Sequence, residues 1–124
     1  MANHNQKGIG RIWHATLYSL AGIRAAWKHE AAFRQEVLLS VILTPAAFWL
    51  GGSTVERLML LGSCLIVLIT ELLNSAVEAA IDRISDDKHR LSARAKDLGS
   101  AAVFISLWLA GITWGLIGYD RLFG

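Results

Sequence analysis

The fold is decided by residues 58–82, LMLLGSCLIVLITELLNSAVEAAID, an apolar stretch that carries acidic side chains in its second half. Residues 58–70 contain no charged side chain, and apolar residues continue at helical spacing through Ile81. At about 1.5 Å per residue, a helix over 58–81 extends about 36 Å, enough to cross a hydrocarbon core of about 30 Å. We therefore predict a transmembrane helix over 58–81.

Two other charge-free stretches flank this one, residues 37–55 and residues 98–119. Each is long enough to form a further transmembrane helix. The short GGST sequence at 51–54 predicts a tight turn, so the first two spans should be antiparallel neighbours. We predict an all-α membrane protein in which residues 1–124 form a single domain.

The composition agrees with a membrane protein and argues against several other classes. Hydrophobic residues make up 54% of the chain and charged residues only 18%, and the mean hydropathy is +0.44. Soluble domains carry about a quarter charged residues. The net charge of +2 is too small for nucleic-acid binding, and no motif of that class is present, so we expect no nucleic-acid partner.

The N-terminal segment, about residues 1–36, is predicted to be an amphipathic helix lying at the membrane interface. Apolar residues recur there at three- and four-residue steps, with polar ones between them. Five of the 12 Lys and Arg residues lie in this segment and five more in the loop 82–97, whereas only Arg57 and Arg121 lie on the other side. Positive residues stay in the cytoplasm. We therefore expect the N-terminus and the second loop to face the cytoplasm and the C-terminus to face out.

A polar stripe runs along the second span, formed by Glu71, Asn74, Glu78 and Asp82. At about 100° per residue these four side chains fall within roughly 80° of one helical face. Carboxylates in a bilayer are costly, so a proton, a basic side chain or a divalent cation must compensate them. The alternative is that the stripe holds helices together in an oligomer. Acidic residues inside a membrane favour a functional site.

Residues 91–102, LSARAKDLGSAA, place Lys96 and Asp97 just before the third span. A lysine beside carboxylates at the membrane surface can bind phosphate, although it can equally serve as a positive anchor. The sequence contains no P-loop, no dinucleotide-binding motif, no protein-kinase motif and no Cys/His metal cluster. The residues thus predict a small three-span membrane protein with an acidic, metal-binding site at its cytoplasmic end, without naming a reaction.

The sequence resembles a known family at this site. Residues 71–82, ELLNSAVEAAID, and 94–102, RAKDLGSAA, closely resemble segments of the small integral-membrane diacylglycerol kinases of bacteria. Residues 24–27 and 30–36, RAAW and EAAFRQE, are similar to the N-terminal region of that family. The resemblance implies transfer of the γ-phosphate of ATP to the hydroxyl of diacylglycerol, giving phosphatidic acid. It also implies a homotrimer whose active sites are shared between chains.

The resemblance further implies a role for individual residues. Glu71 would be the general base, and Glu30 and Glu78 would bind Mg²⁺. The nucleotide would be contacted by Arg11, Tyr18, Glu30, Asn74, Glu78, Asp87, Lys88, His89, Lys96 and Asp97. The lipid would be bordered by Arg24, Ala25, Ala26, Trp27, Ala32, Phe33, Arg34, Gln35, Glu36, Arg57, Glu71, Ser100 and Trp114.

Three alternatives stay open at this point. Some relatives phosphorylate undecaprenol in place of diacylglycerol. Small multidrug transporters also use an intramembrane glutamate, but they typically have four spans, whereas three are predicted here. A structural or holin-like membrane protein would leave the pair Lys96–Asp97 without an explanation.

Overall fold

The computed structural model describes residues 7–84 and 89–124, which form four helices. These are α1 (Ile9–His29), α2 (Ala31–Leu50), α3 (Thr54–Ile84) and α4 (Arg90–Phe123). The most extensive packing is between α3 and α4, α2 packs on α3, and α1 makes smaller contacts with α2 and α3. The prediction of an all-α protein is therefore confirmed.

Three of the helices, α2, α3 and α4, are long and apolar enough to cross a membrane. The shortest, α2, has 20 residues, which gives a length of about 30 Å and matches the hydrocarbon thickness. Most of their large apolar side chains are exposed at the surface of the single chain. Such a surface suits lipid or a neighbouring chain, and the chain is a multi-pass membrane protein.

The three membrane-spanning helices begin and end at residues other than those predicted for the spans. The predicted span 37–55 differs from α2 at both ends, because α2 begins at Ala31 and residues 51–53 form the turn to α3. In contrast, α3 and α4 extend beyond the predicted 58–81 and 98–119. The absence of charge marks the part of a helix that fits in hydrocarbon, whereas helical hydrogen bonding continues into the polar ends.

The structure also corrects the predicted end of the N-terminal helix. We expected one helix to about residue 36, but α1 ends at His29 and Glu30 has an extended conformation, with φ −116° and ψ 104°. Residues 31–36 are the first turns of α2. Glu30 is therefore the corner between two helices, and the interfacial position of α1 stays a prediction.

The C-terminal end of α2 is capped by arginines from both other spans. The last carbonyl groups of a helix have no partner within it. The Nε of Arg57 on α3 donates to the carbonyl oxygens of Phe48 and Gly51, at 3.3 and 3.1 Å. The Nε of Arg121 on α4 donates to the carbonyl oxygen of Trp49, at 3.2 Å, and its guanidinium lies over the Trp49 ring. These contacts fix the end of α2 against α3 and α4.

Gly51 is expected to be sensitive to a single added methyl group. A Cβ at this position would lie 2.5 Å from Cγ of Arg57 and 3.0 Å from the carbonyl oxygen of Ala47. We therefore expect Gly51→Ala to displace Arg57 and to lower the free energy of unfolding by about 1–3 kcal/mol, measured by thermal unfolding in detergent. The matched control is Gly62→Ala, where a Cβ meets no atom within 4 Å. Equal stability of the two variants would contradict this expectation.

A long-range hydrogen bond joins α3 and α4 within their apolar contact. The indole Nε1 of Trp114 donates to the carbonyl oxygen of Leu60 at 3.1 Å, and the buried hydroxyl of Ser63 donates to the same oxygen at 2.8 Å. Leu60 itself is fully buried. This bond is one of the contacts that hold α4 beside α3.

Candidate active site

The four stripe residues lie on a single helix, α3, as predicted, and their exposure increases along it. Glu71 is buried, with 8% of its surface exposed. Asn74 and Glu78 are half-buried and Asp82 is exposed. The stripe therefore passes from the interior of the bundle to an open polar end.

At the buried end, the side chain of Glu71 on α3 interacts with that of Glu36 on α2. One Glu36 oxygen, Oε2, is buried and has no hydrogen-bond partner among the described residues. Two ionised carboxyl groups have no hydrogen to share, so close contact between them requires a proton, a cation or a hydroxyl donor. This end of the site therefore brings two carboxyl groups together, one from α2 and one from α3.

An apolar cavity of about 280 Å³ opens beside this carboxyl pair, between α2, α3 and α4. Glu36 is the only charged residue in its lining. Trp114, Cys64, Val67 and Leu39 are among the other lining residues. The structure therefore brings together Glu36 and Trp114, two of the predicted lipid contacts, in a cavity whose walls suit hydrocarbon.

In the middle of the stripe, the amide of Asn74 holds the carboxylate of Glu78. The Asn74 Nδ2 donates to Oε1 of Glu78 at 3.2 Å. The Oδ1 of Asn74 is buried without a partner among the described residues, and a Cβ at Gly99 of α4 would overlap it. Gly99 therefore leaves room for Asn74. Gly99 is part of the motif at residues 94–102, but the sequence alone does not predict its role. That role becomes visible only where α4 crosses α3 and brings Gly99 against Asn74.

At the exposed end, Lys96 of α4 reaches the stripe. Its Nζ donates to Oδ1 of Asp82 at 2.8 Å, and both side chains are exposed to about half or more. Glu78 is close enough to attract the same ammonium group. An exposed ion pair contributes little to stability. The lysine is therefore available to exchange Asp82 for another anion.

A second opening, a groove of about 620 Å³, lies between α1 and α3. Glu30, together with the predicted lipid contacts Ala25 and Ala26, lines this groove. Its α3 wall is formed by Leu72 and the small residues Ser75, Ala76 and Ala79, and Glu78 is not part of it. Within one chain, Glu30 and Glu78 therefore do not face the same cavity.

The other predicted site residues are distributed over the chain. Phe33 is buried, with 4% exposed, whereas Arg11, Tyr18, Arg24, Trp27, Ala32, Gln35, Asp97 and Ser100 are exposed. Three have structural contacts: Arg34 bonds to carbonyl groups of α1, Arg57 caps α2, and Nδ1 of His89 accepts from the N–H of Leu91 at the start of α4. Asp87 and Lys88 lie outside the described residues.

The donor chemistry of the site fits magnesium. Within residues 7–84 and 89–124, no three His, Cys, Asp or Glu side chains converge to form a metal site by themselves. Mg²⁺, however, needs only one or two carboxylates, together with water and substrate phosphate oxygens. Glu30 and Glu78 supply oxygen ligands of this kind, so the residues present are compatible with an ion that arrives with a nucleotide.

Fold and site together define a class: a three-span membrane protein whose acidic site joins an apolar cavity to an open polar end. Comparison with known proteins narrows this class. The family model for prokaryotic diacylglycerol kinase matches residues 17–118. The chain belongs to this family.

Curated relatives cover nearly the whole chain. A diacylglycerol kinase of Pseudomonas aeruginosa is 54% identical over 112 residues, covering 90% of this chain and 91% of that protein. The diacylglycerol kinase of Escherichia coli K12 is 51% identical over 120 residues, covering 94% and 95%. That of Haemophilus influenzae is 49% identical over 108 residues, covering 87% and 92%. The predicted family is therefore confirmed.

Proposed function

We propose that the chain phosphorylates diacylglycerol with ATP and Mg²⁺ at the α3 stripe, as a homotrimer in the bacterial inner membrane. The chain is a lipid kinase by family. One observation carries the assignment of the site. A single row of polar side chains connects buried Glu71, which interacts with Glu36 in the wall of an apolar cavity, to exposed Lys96 and Asp82. A lipid hydroxyl and a water-soluble nucleotide can meet only along such a row.

The lipid end of the proposed site is centred on Glu71. The lipid hydroxyl donates its proton to the Glu71 carboxylate, with Glu36 close by and the apolar cavity beside them. The lipid oxygen then forms a bond to the γ-phosphorus as the bond from that phosphorus to the β–γ bridging oxygen breaks. ADP leaves, the proton stays on Glu71, and the product is phosphatidic acid. A general base of this kind contributes about 10²- to 10⁴-fold to the rate.

The nucleotide end lies at the exposed part of the stripe. Lys96 exchanges its bond to Asp82 for phosphate oxygens, and Asn74 holds Glu78 in a fixed orientation. Glu78 and Glu30 would hold a magnesium ion, which would supply neutralisation of the phosphate charge. Phosphoryl transfer depends mainly on positioning and charge neutralisation, so these groups suffice without a P-loop.

A trimer with shared sites is supported by the distances within one chain. Lys96 is held at Asp82, which is 11 residues from Glu71, or about 16 Å along α3. Glu30 lines the groove between α1 and α3, and Glu78 is not among the residues that line it. A site that needs all four groups around one phosphate is more easily completed by a neighbouring chain than by one chain alone.

The orientation in the membrane is proposed from the charges. Ten of the 12 Lys and Arg residues lie at the N-terminal and second-loop side, which places the nucleotide end in the cytoplasm. The two arginines of the opposite side are those that cap α2. The C-terminus then lies in the periplasm.

The lipid substrate is tested by supplying each candidate lipid separately. We expect label from [γ-³²P]ATP to appear in phosphatidic acid when diacylglycerol is added in detergent micelles, and to disappear when EDTA removes Mg²⁺. The matched sample contains undecaprenol at the same concentration, and Lys96→Leu is the inactive control. Label found only in undecaprenyl phosphate would overturn the proposed substrate, while leaving the chain a lipid kinase.

A further inference from the structure

The corner between α1 and α2 leaves backbone carbonyl groups at the end of α1 without helical partners, among them those of Trp27 and Lys28. Glu30 is the single extended residue between the helices, and its N–H still donates to the carbonyl oxygen of Ala26 at 2.8 Å. In a continuous helix, the carbonyl groups of Trp27 and Lys28 would accept from the next two N–H groups. The change of direction at Glu30 removes those donors, and unpartnered carbonyl groups at a helix end must be satisfied in another way.

Arg34 supplies the missing donor from the next helix. Its Nη1 lies 2.7 Å from the carbonyl oxygen of Trp27 and 3.3 Å from that of Lys28. A cation at this position is also stabilised by the negative end of the α1 dipole. The backbone N–H of Arg34 donates to the carbonyl oxygen of Glu30 at 3.2 Å. The side chain of Arg34 thus binds the end of α1, and its backbone N–H binds the carbonyl group of Glu30 at the corner.

The contact of α1 with α3 is made mostly by small side chains of α3. Ser75, Ala76 and Ala79 line the α3 wall of the groove, together with the larger Leu72. Apart from Ala26, the residues of α1 are not buried. The angle at the corner must therefore set where α1 lies, and with it where the Glu30 side chain points.

We propose that Arg34 is a positioning residue, whose guanidinium on the carbonyl oxygens of Trp27 and Lys28 fixes the corner at Glu30 and keeps α1 docked along α3. The docking of α1 is a property of the chain alone. The consequence for the nucleotide rests on the proposed function, in which Glu30 binds Mg²⁺. On that basis Arg34 acts on Mg²⁺ affinity through the backbone, without touching the ion.

Docking is measured without reference to activity by crosslinking α1 to α3. Gly22→Cys and Ser75→Cys, combined with Cys64→Ser, place two thiols in the groove, and a Cβ at Gly22 meets no atom within 4 Å. We expect Arg34→Gln to slow intrachain crosslinking by a short bis-maleimide roughly tenfold, because a hydrogen bond from a charged donor is lost. Arg34→Lys should be intermediate, since an ammonium lacks the planar fork.

The matched control is Lys28→Gln, which removes one positive charge from the same turn but leaves the carbonyl group of residue 28 in place. It should crosslink at the parent rate. Circular dichroism and size-exclusion chromatography show whether each variant is folded. If Arg34→Gln does not fold, Arg34→Lys replaces it as the test variant. Equal crosslinking rates in all variants would overturn the proposal.

The functional consequence is read from Mg²⁺ dependence. We expect the half-saturating Mg²⁺ concentration to rise several-fold in Arg34→Gln, with a smaller change in kcat at saturating Mg²⁺. Slower crosslinking with an unchanged Mg²⁺ dependence would refute the role of Arg34 in the site. Glu30→Gln, assayed in parallel, tests separately whether Glu30 binds Mg²⁺. If Glu30→Gln also leaves the Mg²⁺ dependence unchanged, Glu30 does not bind Mg²⁺, and the proposed function is wrong on this point.

Discussion

Replacing Glu71 by glutamine is expected to lower kcat by about 10²- to 10⁴-fold while leaving nucleotide binding nearly unchanged. The amide keeps the size of the side chain but cannot accept the proton of the lipid hydroxyl. Glu71 lies at the buried end of the stripe, two helical turns from Glu78, so it should not contribute to Mg·ATP binding. The measurements are steady-state kinetics and equilibrium binding of a Mg·ATP analogue.

Glu78→Gln should fail in a different way. Even the loss of a residue that only orients a metal ligand typically costs about 10- to 100-fold in metal affinity. We expect Glu78→Gln to weaken binding of the Mg·ATP analogue by at least ~10-fold. The matched control is Glu56→Gln, on the same helix, where Oε1 accepts from the N–H of Gly52 at the far end. An equal loss of Mg·ATP binding in the Glu71 and Glu78 variants would refute this division of roles.

Mixing two inactive variants of the chain is expected to restore part of the activity. If Glu71 of one chain and Lys96 of its neighbour form each site, Glu71→Gln and Lys96→Leu chains should complement each other. In trimers reassembled at random from equal amounts, about one quarter of the sites contain both wild-type residues. We therefore expect roughly a quarter of wild-type activity after joint refolding, measured by phosphorylation of diacylglycerol.

A second mixture provides the reference for this experiment. In this mixture, equal amounts of wild-type chains and chains of the double variant Glu71→Gln/Lys96→Leu are refolded together. About a quarter of the shared sites in the resulting trimers again contain both wild-type residues. The two mixtures should therefore be equally active. If the single-variant mixture stays inactive while crosslinking shows mixed trimers, Glu71 and Lys96 belong to one chain's site, and the shared-site proposal loses its main support.

The sequence predicted the spans well because hydrocarbon imposes a simple rule. The charge-free stretches 37–55 and 98–119, and the apolar helical pattern that continues from residue 58 through Ile81, are long enough to span a membrane, so three spans and the helix carrying Glu71 were predicted directly. The corner at Glu30 could not be predicted in this way. No proline or glycine interrupts residues 28–32, and the break depends on a contact from Arg34, one turn into the next helix.

For the site, the sequence predicted which residues lie together on one helix, but not the contacts between helices. The stripe on α3 follows from helical periodicity, so Asn74 and Glu78 were expected to be adjacent. The contact of Glu71 with Glu36 depends on how α2 crosses α3, and the role of Gly99 on how α4 does. Crossing geometry comes from packing over the whole bundle, and a local pattern of residues does not contain it.

The caps on α2 have a consequence for the order in which the chain is assembled during translation. A ribosome delivers residues from the N-terminus, so Arg57 follows Gly51 by only six positions and emerges with the first helical hairpin. That hairpin can satisfy the carbonyl groups of Phe48 and Gly51 before α4 exists. The carbonyl group of Trp49 has to await Arg121, which is synthesised 72 residues later. Insertion of α4 thus completes a cap that the nascent hairpin has only begun.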